Sequence, residues 1–252
     1  MVTLKNQTEL DQMRAAGHVV GTTLRRVAEA AEPGVSLAEL EAIGAACIKE
    51  HGAEPSFLGY RPRWADTPYP ATLCLSVNDV IVHGIPDKRR LKDGDILSID
   101  CGAIVRGYHG DAAVTVPVGQ VDDAAERLMK VTREALTAAI AAAVPGGRLG
   151  DVSYAVESTA RPYGLLEGCG GHGIGTAMHE APDVPNTGRP GRGMKLREGL
   201  VIAIEPMLIE SGGDEGRTLA DGWSVATADG SRAAHFEHTV AITADGPEVL
   251  TR

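Results

Sequence analysis

The chain has 252 residues, 43% of them hydrophobic, with a formal net charge of −10 and a pI near 5.3. That length and apolar content suit one large domain or two small ones with a substantial core, and the negative charge disfavours nucleic acid as a main partner. The longest apolar run, Ala138 to Pro145, is far too short to cross a bilayer, the first residues lack the apolar stretch of a signal peptide, and the four scattered cysteines read as reduced thiols of a cytoplasmic protein.

Thr8 to Ala31 carries helical periodicity, with Leu10, Met13, Ala16, Val20, Leu24 and Val27 on one side. Thr8, with Glu9 or Gln12 nearby, marks its start, and Pro33-Gly34 lies just past its end. Ser36 opens a second helix running to Gly52, with Glu39 completing a capping box. The strand-like runs Asp95–Cys101 and Asp111–Pro117 follow, around a turn in residues 103–107. A second helix pair covers Asp122–Val144 and about Gly150–Tyr163. Its stop, Pro145-Gly146-x-x-Leu149, repeats Pro33-Gly34-x-x-Leu37, and Gly164 repeats Gly52, each 112 residues apart. Both helix pairs lead into strand-like sequence, so the chain reads as a single α+β domain of two similar halves, roughly 8–120 and 121–252, with the site between them.

With the hairpin turn placed near Val105–Arg106, Asp100 and Asp111 stand directly opposite each other on one face. Opposed residues have Cβ atoms about 4.5–5.5 Å apart. Carboxylates that close repel unless a proton or a cation intervenes, so the pair points to metal, with a slipped register or two solvated acids as the plainer alternative. Two further acids border apolar strands: Glu205 closes Leu200-Val-Ile-Ala-Ile, and Glu237 opens a run ending at Ile242. Residues 169–180, CGGHGIGTAMHE, set His172 and His179 in glycine. Their seven-residue spacing is wrong for two ligands on one helix, and the glycines argue against a helix at all.

The order Asp100, Asp111, His172, Glu205, Glu237 occurs in the contexts Ser98-Ile-Asp-Cys-Gly, Tyr108-His-Gly-Asp111, Gly171-His-Gly-Ile-Gly, Ile204-Glu-Pro-Met207 and Glu237-His-Thr239. It resembles the five-ligand set of the pita-bread metallopeptidases, and among them the short bacterial type I methionine aminopeptidases. Ser76-Val-Asn-Asp-Val-Ile-Val-His83-Gly-Ile-Pro86 and Asp221-Gly-Trp223 match too, so the resemblance runs from about Leu10 to Thr251. It implies the pita-bread fold, two pseudo-symmetric halves with a curved antiparallel sheet covered by helices. It also implies two divalent ions (Co, Mn, Fe or Zn) held by Asp100, Asp111, His172, Glu205 and Glu237, with Asp111 and Glu237 bridging; the donor set is hard and oxygen-rich.

By the same resemblance, His179 steadies the scissile amide and the tetrahedral intermediate, His83 contacts the amide or the leaving group, and Glu205 also moves the proton of the attacking water. Cys74, Tyr69, Tyr60, Met178 and Trp223 line the methionine pocket; most relatives carry phenylalanine where Met178 stands. The segment Arg61–Thr67 reads longer than the usual loop, and either contacts a nascent chain, covers the entrance or is a surface embellishment. The implied substrates are N-termini of nascent polypeptides with a small second residue, met near the ribosome exit by a cytoplasmic monomer that touches neither membrane nor nucleic acid directly. His18, His51, His109, His235 and His238 receive no role. A proline-directed prolidase or aminopeptidase P is disfavoured because the first helix begins too early for a large preceding domain. A metal-free creatinase-like enzyme or a non-catalytic binding protein is disfavoured because all five ligands are present.

Overall fold

The structure, a computed structural model, describes residues 2–252. Helices α1 (Gln7–Ala30) and α2 (Leu37–Glu50) lead into β1 (Glu54–Pro55), β2 (Leu73–Val77), β3 (Val80–Val82), β4 (Ile96–Val105) and β5 (Tyr108–Pro117). Helices α3 (Asp123–Ala142) and α4 (Leu149–Ala160) lead into β6 (Gly164–Leu165), β7 (Gly170–Gly173), β8 (Glu180–Pro185), β9 (Val201–Ile204) and β10 (Met207–Ile209). The chain closes with β11 (Gly216–Thr218), β12 (Val225–Thr227), β13 (Ala233–His235), β14 (Glu237–Thr243) and β15 (Gly246–Val249). One nine-stranded sheet runs β1-β4-β5-β14-β9-β7-β8, with β2 paired to β4 and β15 to β14. It is antiparallel throughout and curls into a half-barrel carrying four helices, the pita-bread arrangement.

Local chemistry sets the helix ends. α1 is capped by Asn6 rather than Thr8: the Asn6 side chain accepts from the Glu9 amide, and the Glu9 carboxylate accepts from the Asn6 amide. Ser36 and Glu39 form the expected box on α2. α4 ends at Ala160 rather than Tyr163, because Arg161 precedes Pro162 and a residue before proline is pushed out of helical backbone. The two Pro-Gly stops make the same turn. Gly34 (φ +94°) donates to the Leu91 carbonyl at 2.7 Å, and Gly146 (φ +85°) donates to the Leu196 carbonyl at 2.9 Å.

Each helix pair packs on its own strands. α1 and α2 bury Val20, Leu24, Leu40 and Ile48 against Leu73, Leu97 and Ile99. α3 and α4 bury Leu128, Leu136, Val152 and Val156 against Ile202, Ile204 and Val240. Strand alternation then decides what the opposite face carries. In β4, Leu97, Ile99, Cys101 and Ala103 join the first core. Ser98, Asp100 and Gly102 therefore point away from it.

The β4–β5 hairpin corrects the expected register. Val105 pairs with Tyr108, so the turn is the two residues Arg106-Gly107, with φ of +50° and +82°. Positive φ at both central positions is the tight turn that suits strand twist, and Gly107 makes it accessible. Asp100 then pairs with Ala113, and Asp111 with Gly102. The two aspartates share a face as anticipated, but they sit diagonally rather than directly opposite. Ala113 also pairs with Glu237, which puts Asp100 and Glu237 in one row across three strands.

α1 lies exceptionally close to its neighbours. A Cβ built on Gly110 of β5 would stand 2.8 Å from the Gly17 backbone nitrogen, and one built on Gly17 would strike the Leu250 carbonyl. Gly17→Ala is therefore expected to destabilise the chain despite alanine's helix preference of up to about 1 kcal/mol. Overpacking costs about 1–3 kcal/mol, and a lowered urea midpoint at unchanged slope is the measurement.

Candidate metal centre

Five neighbouring strands of the one sheet bring four carboxylates and one imidazole together. Asp100 comes from the middle of β4, Asp111 from β5 and Glu237 from the first position of β14, while Glu205 follows β9. His172 lies on β7, in backbone that needs its glycines: a Cβ on Gly171 would collide with the Ala203 carbonyl of β9. Asp111 is locked by its own backbone, whose amide donates to Thr239 Oγ1 at 3.0 Å and whose carbonyl accepts from the same hydroxyl at 2.8 Å. His172 Nδ1 lies 2.9 Å from the Gly173 carbonyl, which leaves Nε2 as its lone-pair atom. That Nε2 is 3.9 Å from Asp111 Oδ2 and 3.7 Å from Glu205 Oε1.

The electrostatics are those of an uncompensated acidic cluster. Asp100, Asp111 and Glu237 are buried, and the Glu205 side chain is only 14% exposed. Among the described residues, their only basic neighbours within ion-pair distance are histidines. Burial pushes Asp100 up to about 7. Burial and then the Asp100 charge raise both Asp111 and Glu205 well above the carboxylate range. Burial, followed by the charges of Asp111, Glu205 and Asp100, does the same to Glu237. Burial also lowers the imidazoles, His172 to about 3 and His83 to about 4, so both are neutral at pH 7. Six buried side-chain polar atoms lack a partner among the described residues, and three of them are carboxylate oxygens of Asp100, Asp111 and Glu237. Orphaned, mutually repelling oxygens beside a neutral imidazole fit a divalent cation and little else.

His235 belongs beside this set, although its sequence gave it no role. It is buried, with Nε2 3.7 Å from Glu205 Oε2, 3.6 Å from Glu237 Oε2 and otherwise unpartnered. The available signal was its position two residues before Glu237, the spacing that shares a face in extended chain. The groups Asp111, His172, Glu237 and Glu205, His235, Glu237 each converge closely enough to hold an ion. The other histidines lie elsewhere: His238 Nδ1 contacts Thr251 Oγ1, His109 contacts Ser56, and His18 packs near His51.

The remaining expected residues also assemble here. The His179 ring lies tilted by 41° against His172 with centroids 4.1 Å apart, and its Nδ1 lies 2.8 Å from the Tyr60 hydroxyl. His83, at φ +59°, follows β3 and faces Trp223 edge-on at 6.3 Å. Tyr69, Cys74, Met178 and Trp223 form one buried apolar cluster with Tyr60 packed against it, and the structure adds Phe57 and Ile174 to its walls.

Residues 11–244 match the model of metallopeptidase family M24. The chain belongs to that family. This M24 chain is 51% identical over its full length to methionine aminopeptidase 1 of Mycobacterium tuberculosis, 95% of which is covered. Its structure is similar to the crystal structure of methionine aminopeptidase from Thermotoga maritima, with a TM-score of 0.95, 42% identity and complete coverage of both chains. The prolidase of Pyrococcus furiosus shares the fold alone, at 22% identity and a TM-score of 0.77, with 99% of this chain and 65% of that one covered. The M24 chain is thus a hydrolase of the methionine aminopeptidase kind, in a family that binds divalent metal.

The raised carboxyls fix a sign for pH. In metal-stripped protein, the folded chain holds protons that unfolded carboxyls, ordinarily near 4, have already released. Stability is therefore expected to fall as pH rises from about 4 through about 7. Unfolding midpoints of stripped protein at pH 5 and pH 8 measure this, and Asp111→Asn is expected to flatten the difference.

Proposed function

We propose that this chain hydrolyses the first peptide bond of newly made polypeptides, releasing methionine when the second residue is small. The observation that carries the reading is the set of four carboxylates and His172, which among the described residues no lysine or arginine approaches within ion-pair distance, beside the buried apolar cluster of Tyr69, Cys74, Met178 and Trp223. Asp100, Asp111, His172, Glu205 and Glu237 would hold two divalent ions, and the donor chemistry admits Co, Mn, Fe or Zn. Bound there, such ions lower the pKa of water toward neutrality and polarise a carbonyl.

The chain's own groups supply the rest. Glu205, whose carboxylate lies 3.7 Å from His172 Nε2, accepts the proton of the water that adds to the scissile carbonyl carbon. The carbon–nitrogen bond then breaks, and the proton passes to the departing nitrogen. Tyr60 fixes the His179 ring through Nδ1, which leaves Nε2 to hydrogen-bond the developing oxyanion. His83, neutral at working pH, hydrogen-bonds the leaving side. The unbranched thioether enters among Tyr69, Cys74, Met178 and Trp223, where sulfur and aromatic walls suit it. His83 and His179 crowd the space beyond, which selects a small second residue.

The chain acts in this reading as a monomer, one catalytic domain of halves 8–120 and 121–252; the paired Pro-Gly turns support the halves. Four unpaired thiols favour a reducing cytoplasm, where nascent chains leave the ribosome. No described helix is long and apolar enough to cross a membrane.

Met-Ala-Ser is expected to be cleaved, and an X-Pro peptide spared, by stripped protein given back divalent metal; turnover of the X-Pro peptide alone would overturn the reading. Asp111→Ala and Glu237→Ala are expected to lose turnover and metal stoichiometry together, measured by activity and elemental analysis. His179→Ala is expected to keep its metal and lose about 10²–10³ in kcat, whereas lost stoichiometry would make His179 a ligand.

A further inference from the structure

The segment between Tyr60 and Tyr69 is held in place, and it carries an exposed tryptophan over the site. Its base is closed by two backbone hydrogen bonds, Tyr69 to the Tyr60 carbonyl at 2.8 Å and Gly59 to the Tyr69 carbonyl at 2.9 Å. Within it, the Ala65 amide donates to the Pro62 carbonyl at 3.1 Å, and the Ala65 side chain is buried in the cluster of Tyr69, Met178 and Trp223. That anchorage turns Trp64 inward. Its ring stacks over His83, with centroids 6.1 Å apart and planes 23° from parallel, and meets Trp223 edge-on at 5.0 Å. Trp64 nevertheless remains 61% exposed.

An exposed tryptophan fixed by two other rings differs from a lone surface apolar residue. One face lies against the site and the other offers solvent a rigid, flat, amphipathic surface, the kind that dominates binding hot spots. Its position relative to the pocket says which part of a substrate it meets. Trp223 and Tyr69 are buried, His83 is half-buried, and Trp64 stands outside His83. With a methionyl side chain inside the apolar cluster and its carbonyl at the carboxylates, the rest of the peptide leaves toward solvent, and the exposed rings bordering this site are His179 and Trp64.

We infer that Trp64 is a specificity-determining residue of this chain, a stacking platform for the third and fourth residues of an extended peptide whose first bond is being cut. This rests on the peptide hydrolysis proposed above. The segment Arg61–Thr67 then extends recognition beyond the second residue, and Trp64 binds the substrate without touching the reacting atoms.

The test compares Met-Ala with Met-Ala-Ser-Leu as substrates for metal-loaded wild type, Trp64→Ala and Trp64→Phe. A lost aromatic contact costs about 3- to 10-fold. The fall in kcat/KM for Trp64→Ala is expected to be greater by about that factor on the tetrapeptide than on the dipeptide, to lie in KM, and to be largely restored by Trp64→Phe. Equal losses on the two peptides, a loss confined to kcat, or no recovery with phenylalanine would overturn it and leave Trp64 as packing over His83. A wild-type chain that cleaves neither methionyl peptide would overturn the proposed activity itself, and this inference with it.

Discussion

Asp100, Asp111, Glu205 and Glu237 share a small volume in which, among the described residues, no lysine or arginine answers their charge. Like charges separate wherever the chain lets them, so the fold has to prevent it. The reverse face of the sheet does this: two helical cores pin the strands, and Thr239 ties Asp111 of β5 to β14 through both its amide and its carbonyl. Loosening any of those strands would relax the cluster and destroy the site. Tight packing on one face thus makes electrostatic strain on the other sustainable.

Around the acids the side chains become progressively less charged and more open. His172 and His235 sit among the carboxylates as neutral rings, because burial opposes their protonation. His83 and His179 come next, the latter reaching solvent and braced by Tyr60. Of the aromatic group Tyr69, Trp223 and Trp64, whose rings meet edge to face, the first two are buried and Trp64 alone lies outermost. A cation at the centre would meet anionic oxygen, and a peptide arriving from outside would meet neutral donors and apolar walls. Each layer matches the part of a substrate that reaches it.

Much of this was legible in the sequence because it lies in short, rule-bound stretches. The capping box at Ser36, the Pro-Gly stops and the acids beside apolar strands each follow from local chemistry. The hairpin register was misplaced by a turn of two positive-φ residues, Arg106-Gly107, a backbone choice that strand alternation does not determine. Both registers keep the same parity, which is why the shared face survived the error. His235 was missed because β13 ends there and β14 begins at Glu237, so the two lie across a strand boundary where alternation is easily discounted. The seating of Trp64 was out of reach for a different reason: it depends on Ala65 finding a distant cluster, and nothing local encodes that.

The two backbone hydrogen bonds of Tyr69, its amide donating to the Tyr60 carbonyl and its carbonyl accepting from the Gly59 amide, separate two tasks. Tyr69 belongs to the buried apolar cluster and Tyr60 packs against it, and the residues strung between them need only begin and end at the same rungs. Closing a longer loop costs little more than closing a short one. The two rungs at the base of the segment would therefore accept a segment of different length or chemistry while the acids keep their places. What this chain grips outside its pocket is open to change by insertion, independently of how it cuts.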